Sequence, residues 1–212
     1  MAKVIKSLIQ SLYPYGIFRS DRGLSSSRPS PLAYLTFDDG PIPEVTPKVL
    51  AILERYGVKA TFFMVGENID KYPEVFAQVV KAGHSIGNHT YNHMKGWRVS
   101  TAEYIDNVRK FPKQTKLFRP PYGRTWLWQR KAVKDLGYEI YLWDVLTRDY
   151  NAKRTPEAML RQIQRQTRPG SIINFHDSLK SNGRMLEVLP KAIEWLEARG
   201  YRLEGLEARG KR

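Results

Sequence analysis

The sequence predicts an α/β fold in a single domain: a parallel sheet wound by helices, compact enough to curl into a β/α barrel. Two observations carry this. Past residue 31, short apolar runs and amphipathic stretches alternate about seven times. Strand-then-helix repetition of that kind sets successive strands parallel, with helices packed outside. The second observation is size. A chain of 212 residues, 42% hydrophobic and 26% charged, holds one sizeable core, although it falls short of the ~250 residues usual for a full eightfold barrel.

The elements follow in order. Residues 32–37 form an apolar run ending at two acids, a strand. Thr46 and Pro47 open a helix, Thr as the cap and Pro at the first turn. Its buried stripe is Val49, Leu50, Leu53 and Tyr56, and Gly57 stops it. Residues 60–65 are the second strand, and 73–81 a helix with Val75, Phe76, Val79 and Val80 inward. A short strand at 85–87 follows. Ser100 and Glu103 form a capping box for the next helix. Residues 116–119 are the fourth strand, 125–136 a helix ended by Gly137, and 139–145 the fifth strand. Thr155, Pro156 and Glu157 start a helix. Residues 171–175 are the sixth strand, 184–199 a helix closed by Gly200, and 201–204 the seventh strand. The segment LEARG occurs at 196–200 and again at 206–210, too short to signal repeat architecture.

Composition removes several functions. There is no cysteine, so disulfides, thiolate metal sites and cysteine nucleophiles are excluded. No apolar run reaches the ~20 residues of a membrane span. Lys+Arg 35 against Asp+Glu 21 gives a net charge of +14. Such a surface favours anionic neighbours: nucleic acid, acidic glycans or a membrane face. Residues 1–31 are set apart as a basic N-terminal arm (Lys3, Lys6, Arg19, Arg22, Arg28), residues 32–204 as the domain, and 205–212 as a C-terminal tail. The arm has neither the apolar core nor the cleavage site of a secretory signal. It is expected to lie across the domain, with weak peripheral contact to anionic lipid as the other reading, and the location expected is cytoplasmic.

In β/α barrels chemistry gathers where strands end, because the loops there converge on one mouth. Asp38 and Asp39 follow the first strand, His89 and His93 the third. Arg119 ends the fourth strand, Asp149 follows the fifth, and His176 ends the sixth. His89 and His93, spaced about one helical turn apart, can reach one ion. Asp39 could supply a third ligand. Two nitrogens and one oxygen suit zinc and leave a position open. His pairs at this spacing also fall on surfaces by chance. His84 is read as structural. Paired acids before Gly-Pro can simply cap a turn. The functional reading divides them, one on the ion and one free to take a proton from water.

Five segments taken together resemble a known family. They are Thr36-Phe37-Asp38-Asp39-Gly40-Pro41; residues 83–93, which include His89 and His93; Arg119-Pro120-Pro121-Tyr122-Gly123; Asp149; and Phe175-His176-Asp177. In this order they are similar to the polysaccharide deacetylases, the NodB-homology domain of carbohydrate esterase family 4, over about residues 32–201. The resemblance implies a distorted (β/α)7 barrel. It implies Asp38 as general base, Asp39, His89 and His93 as ligands of a divalent metal, and Arg119 as the residue orienting the base. It further implies that the backbone N–H of Tyr122 steadies the oxyanion and that Asp149 charges His176, the general acid. Zinc is the expected metal, with cobalt or nickel as alternatives. The partner implied is an N-acetylated glycan, and no nucleic-acid motif is present. For the chemistry, Asp38 must start ionised and His176 protonated.

This chain departs from the family at two positions. Asn174 stands where Leu is usual, and strand alternation turns it toward the same side as His176. It is either a satisfied polar residue inside the barrel or part of a more polar acyl pocket. Tyr150 stands where Trp is frequent, and either aromatic can wall a pocket. From Asn107 to Lys134 there are nine basic residues and no acid. With Trp126 and Trp128 these could line a groove, although at least one tryptophan is expected in the core. The sequon at Asn88 lies inside the metal motif and is set aside. Competing readings are an amide hydrolase of a small non-sugar substrate, a basic nucleic-acid-binding protein with a relic site, and a non-catalytic glycan-binding module.

Overall fold

The computed structural model describes residues 13–20 and 30–208. These residues form nine strands, β1 (Gly16–Ile17), β2 (Leu32–Asp38), β3 (Thr61–Met64), β4 (Ser85–Asn88), β5 (Leu117–Phe118), β6 (Glu139–Tyr141), β7 (Val145–Leu146), β8 (Ile172–His176) and β9 (Arg202–Leu203). The described residues also form seven α-helices, α1 (Thr46–Arg55), α2 (Gly66–Lys71), α3 (Pro73–Lys81), α4 (Thr101–Arg109), α5 (Leu127–Asp135), α6 (Pro156–Gln166) and α7 (Asn182–Ala198). The strands run β1-β6-β5-β4-β3-β2-β8-β7, with β9 beside β2, and every ladder is parallel. This is the expected distorted (β/α)7 barrel.

The central strands are buried on both sides, and alternation sorts their residues. Leu35 and Phe37 of β2, Phe62 and Met64 of β3, and Ile173 and Phe175 of β8 pack with Leu53 of α1, Val79 of α3 and Leu189 of α7 in the main core. The alternate residues face the barrel interior. Leu32, Tyr34, Phe63 and Ile172 form an apolar floor there. Further along the same strands the interior residues become Thr36 and Asp38 on β2, then Asn174 and His176 on β8, in register with them. One strand pair thus supplies an apolar floor and a polar mouth.

The fifth strand differs from its expectation. Residues 139–145 are not one strand but two: β7 at one end of the sheet, and β6 next to β1 at the other. The chain changes neighbours between them: Leu142 N–H donates to Ile17 O (2.8 Å), but Asp144 N–H donates to Ile172 O (3.3 Å). The barrel therefore closes along a backbone crossing rather than a ladder. The carbonyls of Tyr141 and Leu142, which a ladder would have used, accept from Arg119 Nε (3.0 Å) and a terminal Arg119 nitrogen (2.9 Å).

Smaller corrections have similar local causes. Thr46 does not cap α1; Val45 holds that position, and the Thr46 hydroxyl accepts from Ile42 N–H and donates to Asp177. Val80 is half exposed because α3 turns only Val75, Phe76 and Val79 inward. Ser100 and Thr155 do cap α4 and α6. Leu196, Glu197 and Ala198 close α7, whereas the matching Leu206 lies outside any helix, buried, with its N–H on Thr61 Oγ1 (2.7 Å).

Of the basic arm, Lys3, Lys6, Arg22 and Arg28 lie outside the described residues. Arg19 approaches Asp144 (4.0 Å), and β1 adds a strand beside β6. Among the described residues no helix is long and apolar enough to cross a membrane.

Gly87 of β4 is a tight point of the barrel interior. A Cβ there would sit 2.3 Å from the ring of Phe63, and that ring lies 4.0 Å beneath the Arg119 guanidinium. Gly87→Ala is expected to lower stability by about 1–3 kcal/mol through overpacking, measurable as a fall in the urea midpoint. An unchanged midpoint would mean that Phe63 can move without disturbing Arg119.

Candidate active site

Asp39, His89 and His93 meet at the mouth. Asp39 Oδ1 lies 3.2 Å from His93 Nε2 and 3.7 Å from His89 Nε2, and the three donor atoms fall within 4.8 Å of one another. Donors held about 2.1 Å from one ion in a tetrahedron stand about 3.4 Å apart, so the triad fits a divalent cation of that size. His89 Nδ1 donates to Arg119 O (2.7 Å). That bond puts the proton on Nδ1 and leaves the Nε2 lone pair for an ion. Burial pushes His89 down to about 4, so the ring is neutral, as a ligand must be. Asp39 is held far below the usual carboxylate range: burial opposes this, but the His93 hydrogen bond and the neighbouring imidazoles outweigh it.

The His-x-x-x-His spacing works differently from the helical turn expected. His89 follows β4 directly, and residues 89–93 form a loop that folds back to bring the ring centroids to 5.1 Å. Thr90 (φ 66°) and His93 (φ 56°) take left-handed backbone, as does Asp39 (φ 85°) on the first loop. Each such residue costs about 1–3 kcal/mol and persists only where its surroundings impose it. Here the surroundings are polar side chains. Asn88 Oδ1 accepts from Thr90 N–H (2.7 Å), the Thr90 hydroxyl from Met94 N–H (2.9 Å), and Asn107 of α4 from Tyr91 N–H (2.9 Å). Asn88 is fully buried, in keeping with setting its sequon aside.

Beside the triad, Asp38 is buried and bound from two directions. A terminal Arg119 nitrogen donates to Asp38 Oδ1 (2.7 Å), and Asn174 Nδ2 donates to Oδ2 (3.0 Å). The same Arg119 nitrogen lies 2.7 Å from Asn174 Oδ1 and 2.8 Å from Thr36 Oγ1. Asn174 is therefore no part of an acyl pocket. Its amide is fully buried and both its ends are used within the barrel. Burial lowers the affinity of Arg119 for its proton, and the Asp38 carboxylate opposes that.

Across the mouth, His176 Nδ1 meets Asp149 Oδ1 (2.7 Å), and Asp149 Oδ2 accepts the His176 backbone N–H (2.8 Å). Burial alone would depress the imidazole, but the carboxylates around it, Asp149 foremost, raise it to about 9. Tyr150 stands edge-on to the His176 ring (5.0 Å), the wall expected of it. Arg184 of α7 fixes the loop by donating twice to Asp149 O. Tyr122 sits in a short turn with φ 62° and lies edge-on to His93 at 4.8 Å. Trp126 and Trp128 are both exposed and stack on each other at 5.2 Å, so neither is in the core. Arg130 is buried, with its guanidinium over the Tyr13 ring (3.8 Å). His84 is structural: it accepts from Ala60 N–H (3.2 Å), and burial with Lys59 nearby lowers it to about 4.

The sequence assigned no part in the site to four contributors: Thr36, Asn107, Arg184 and the Thr46–Asp177 pair. Asp177 Oδ1 accepts Gly40 N–H (3.0 Å), Oδ2 accepts the Thr46 hydroxyl (2.6 Å), and burial pushes the carboxyl up to about 8. This pair clamps the turn that carries Asp39. Its signal in the sequence is the place of Asp177 in the segment Phe175-His176-Asp177.

The comparisons agree with this geometry. The family described as polysaccharide deacetylase matches residues 25–141. A peptidoglycan-N-acetylglucosamine deacetylase of Bacillus cereus is 34% identical over 177 residues, 79% of this chain and 83% of that one. A chitooligosaccharide deacetylase of Azorhizobium caulinodans is 36% identical over 188 residues, 84% of this chain and 89% of that one. The crystal structure of the Bc1960 peptidoglycan N-acetylglucosamine deacetylase superposes with a TM-score of 0.80 at 28% identity, over 95% of this chain and 98% of that chain. Agreement on that scale covers most of each chain, and the motifs that suggested it converge on one mouth: the chain belongs to the polysaccharide deacetylase family.

Proposed function

We propose that the protein is a metal-dependent hydrolase that removes acetyl groups from the nitrogen of amino sugars in a glycan. The observation that carries this is the division of labour around the triad. Asp38 and His176, neighbours across the β2–β8 ladder, are each oriented by their own partner, Arg119 and Asp149. The relatives, by name, act on peptidoglycan N-acetylglucosamine and on chitooligosaccharide, which supports N-acetylglucosamine units as the substrate.

A divalent cation held by Asp39, His89 and His93, zinc first and cobalt or nickel as alternatives, supplies polarisation of the acetyl carbonyl and a more acidic water. Asp38, fixed by Arg119 and Asn174, accepts the proton as water attacks the carbonyl carbon. The backbone N–H of Tyr122 donates to the developing oxyanion, a contribution of ~3 kcal/mol for one such donor. His176, charged because Asp149 holds it so, passes its Nε2 proton to the amide nitrogen. The C–N bond then breaks with a neutral amine leaving, because an unprotonated amide nitrogen is a very poor leaving group.

The test is acetate release from chito-oligosaccharide, peptidoglycan and O-acetyl xylan, with and without chelator. Acetate is expected from the N-acetyl substrates, lost on chelation and restored by zinc, cobalt or nickel. If metal-loaded protein releases no acetate from any N-acetylated glycan but hydrolyses small non-sugar amides, the substrate is of the other class. Metal content provides a separate check: about one equivalent in the wild type, and much less in His89→Ala, since loss of one of three ligands removes the closed side of the site.

A further inference from the structure

One side of the mouth carries a wall whose side chains the hydrolytic chemistry does not use. It starts at the triad. The Tyr122 ring stands edge-on to His93, and Trp97 stands edge-on to Tyr122 at 5.3 Å. Cations lie over both rings: Lys95 Nζ is 5.5 Å from the Tyr122 centroid, and the Arg124 guanidinium is 5.0 Å from that of Trp97. Arg98 is close enough to bear on the Tyr122 hydroxyl. Lys95, Arg98, Tyr122 and Arg124 are all exposed. Among the described residues, none of the three cations has a carboxylate within 4 Å, whereas Lys131, Lys191 and Arg202 do. Two positive charges without a carboxylate partner therefore stand over an aromatic face that leads to His93, and a third, Arg98, stands nearby.

The wall is built rather than left over. Its two loops, residues 95–99 and 122–126, are joined by Gln129 of α5, whose side chain is fully buried. Gln129 Nε2 donates to Gly96 O (2.8 Å), while Oε1 accepts from the Thr125 hydroxyl (2.6 Å) and from Trp126 N–H (3.1 Å). Gly96 allows the approach, because a Cβ there would fall 2.9 Å from Gln129 Oε1 and 3.0 Å from Thr125 Oγ1. A buried and satisfied polar link of this kind fixes the spacing of the rings and cations before any ligand arrives.

Aromatic faces receive the C–H face of a sugar, and guanidinium and ammonium groups receive oxyanions, Arg in a planar fork. We infer that the wall formed by Lys95, Trp97, Arg98, Tyr122 and Arg124 recognises an anionic amino-sugar substrate: a sugar stacked on the rings and a carboxylate or phosphate, on that sugar or its neighbour, held by the cations. This rests on the deacetylase reading for its placement beside the acetyl group, and deepens it by naming the charge of the substrate. The oxyanion has two possible sources, the carboxylate of an acidic sugar and the phosphate of a phosphate-linked one.

Binding to the full chain tests it without turnover. Titration calorimetry at low salt compares three probes: the neutral N,N′-diacetylchitobiose, the carboxylated disaccharide N-acetylglucosaminyl-N-acetylmuramic acid, and N-acetylglucosamine 1-phosphate. At least one anionic probe is expected to bind about tenfold or more tightly than the neutral one, with the advantage shrinking as salt rises. In the triple variant Lys95→Gln, Arg98→Gln, Arg124→Gln the ratio is expected to fall to near one. The tighter anion identifies the source. Equal affinities in the wild type, no measurable binding of either anion, or a preference that survives the triple variant would each overturn the inference. Because the readout is affinity, the absence of acetate release would defeat the deacetylase reading alone.

Discussion

His176→Ala should reduce kcat by roughly 10²–10⁴-fold, the range for removing a positioned acid. The reason is electrostatic. His176 must begin each turnover charged, and the Asp149 carboxylate 2.7 Å from its Nδ1 is what keeps it so, with the imidazole raised to about 9. The sign then follows. Below about 9 the ring is protonated and can donate; above it the proton is lost and the rate falls. A bound cation repels a charged imidazole and draws that limb lower. In Asp149→Asn the largest raising charge is gone, the lesser ones of Asp39 and Asp38 stay, and burial remains, so the alkaline limb of kcat should move down toward the ordinary histidine value of ~6.5. The check is a kcat–pH profile of both proteins at saturating glycan. If the limb stays where it was in Asp149→Asn, His176 is not the group that titrates there.

Patterns of period and position were readable in the sequence; pairings set by the closed barrel were not. The strand-end rule placed Asp38, Asp39, His89, His93, Arg119, Asp149 and His176 on one face, and the structure puts them there. Alternation along β8 correctly turned Asn174 to the same side as His176. Alternation cannot say how deep a residue lies or what it meets. The partners of Asn174, namely Asp38, Thr36 and Arg119, come from strands up to 138 residues away. The division of residues 139–145 was hidden for a related reason. An apolar run reads as one strand whether or not its neighbour changes midway, and here the change is stabilised by an arginine over 20 residues upstream. The wall at Trp97 was missed because the nearest signal, the run of basic residues from 107 to 134, mixes buried Arg119 and Arg130 with exposed Arg124. Lys95 and Arg98 join it from another loop.

Arg119 and Asn174 offer the sharpest test of how the base is held. Arg119→Met leaves Asp38 without its cation and strips two carbonyls of their donor. Breaking a buried pair in this way costs roughly 3–5 kcal/mol, so a large fall in stability should accompany loss of activity. That variant alone cannot separate positioning from folding. Asn174→Leu can, because Arg119 stays in place and the side chain keeps its branching and its number of heavy atoms. Asp38 Oδ2 loses one donor, at a cost of about 1–3 kcal/mol in stability. If Asn174 sets the direction of the Asp38 carboxylate, kcat should fall about tenfold, equivalent to 1.4 kcal/mol of barrier. KM should hold, since a residue with no exposed surface cannot touch the glycan. The ratio of rates on N-acetyl and N-formyl sugars should hold as well, because the acyl group meets other atoms. A changed acyl ratio would return Asn174 to the acyl pocket, and an unchanged kcat would leave Arg119 as sufficient to aim the base.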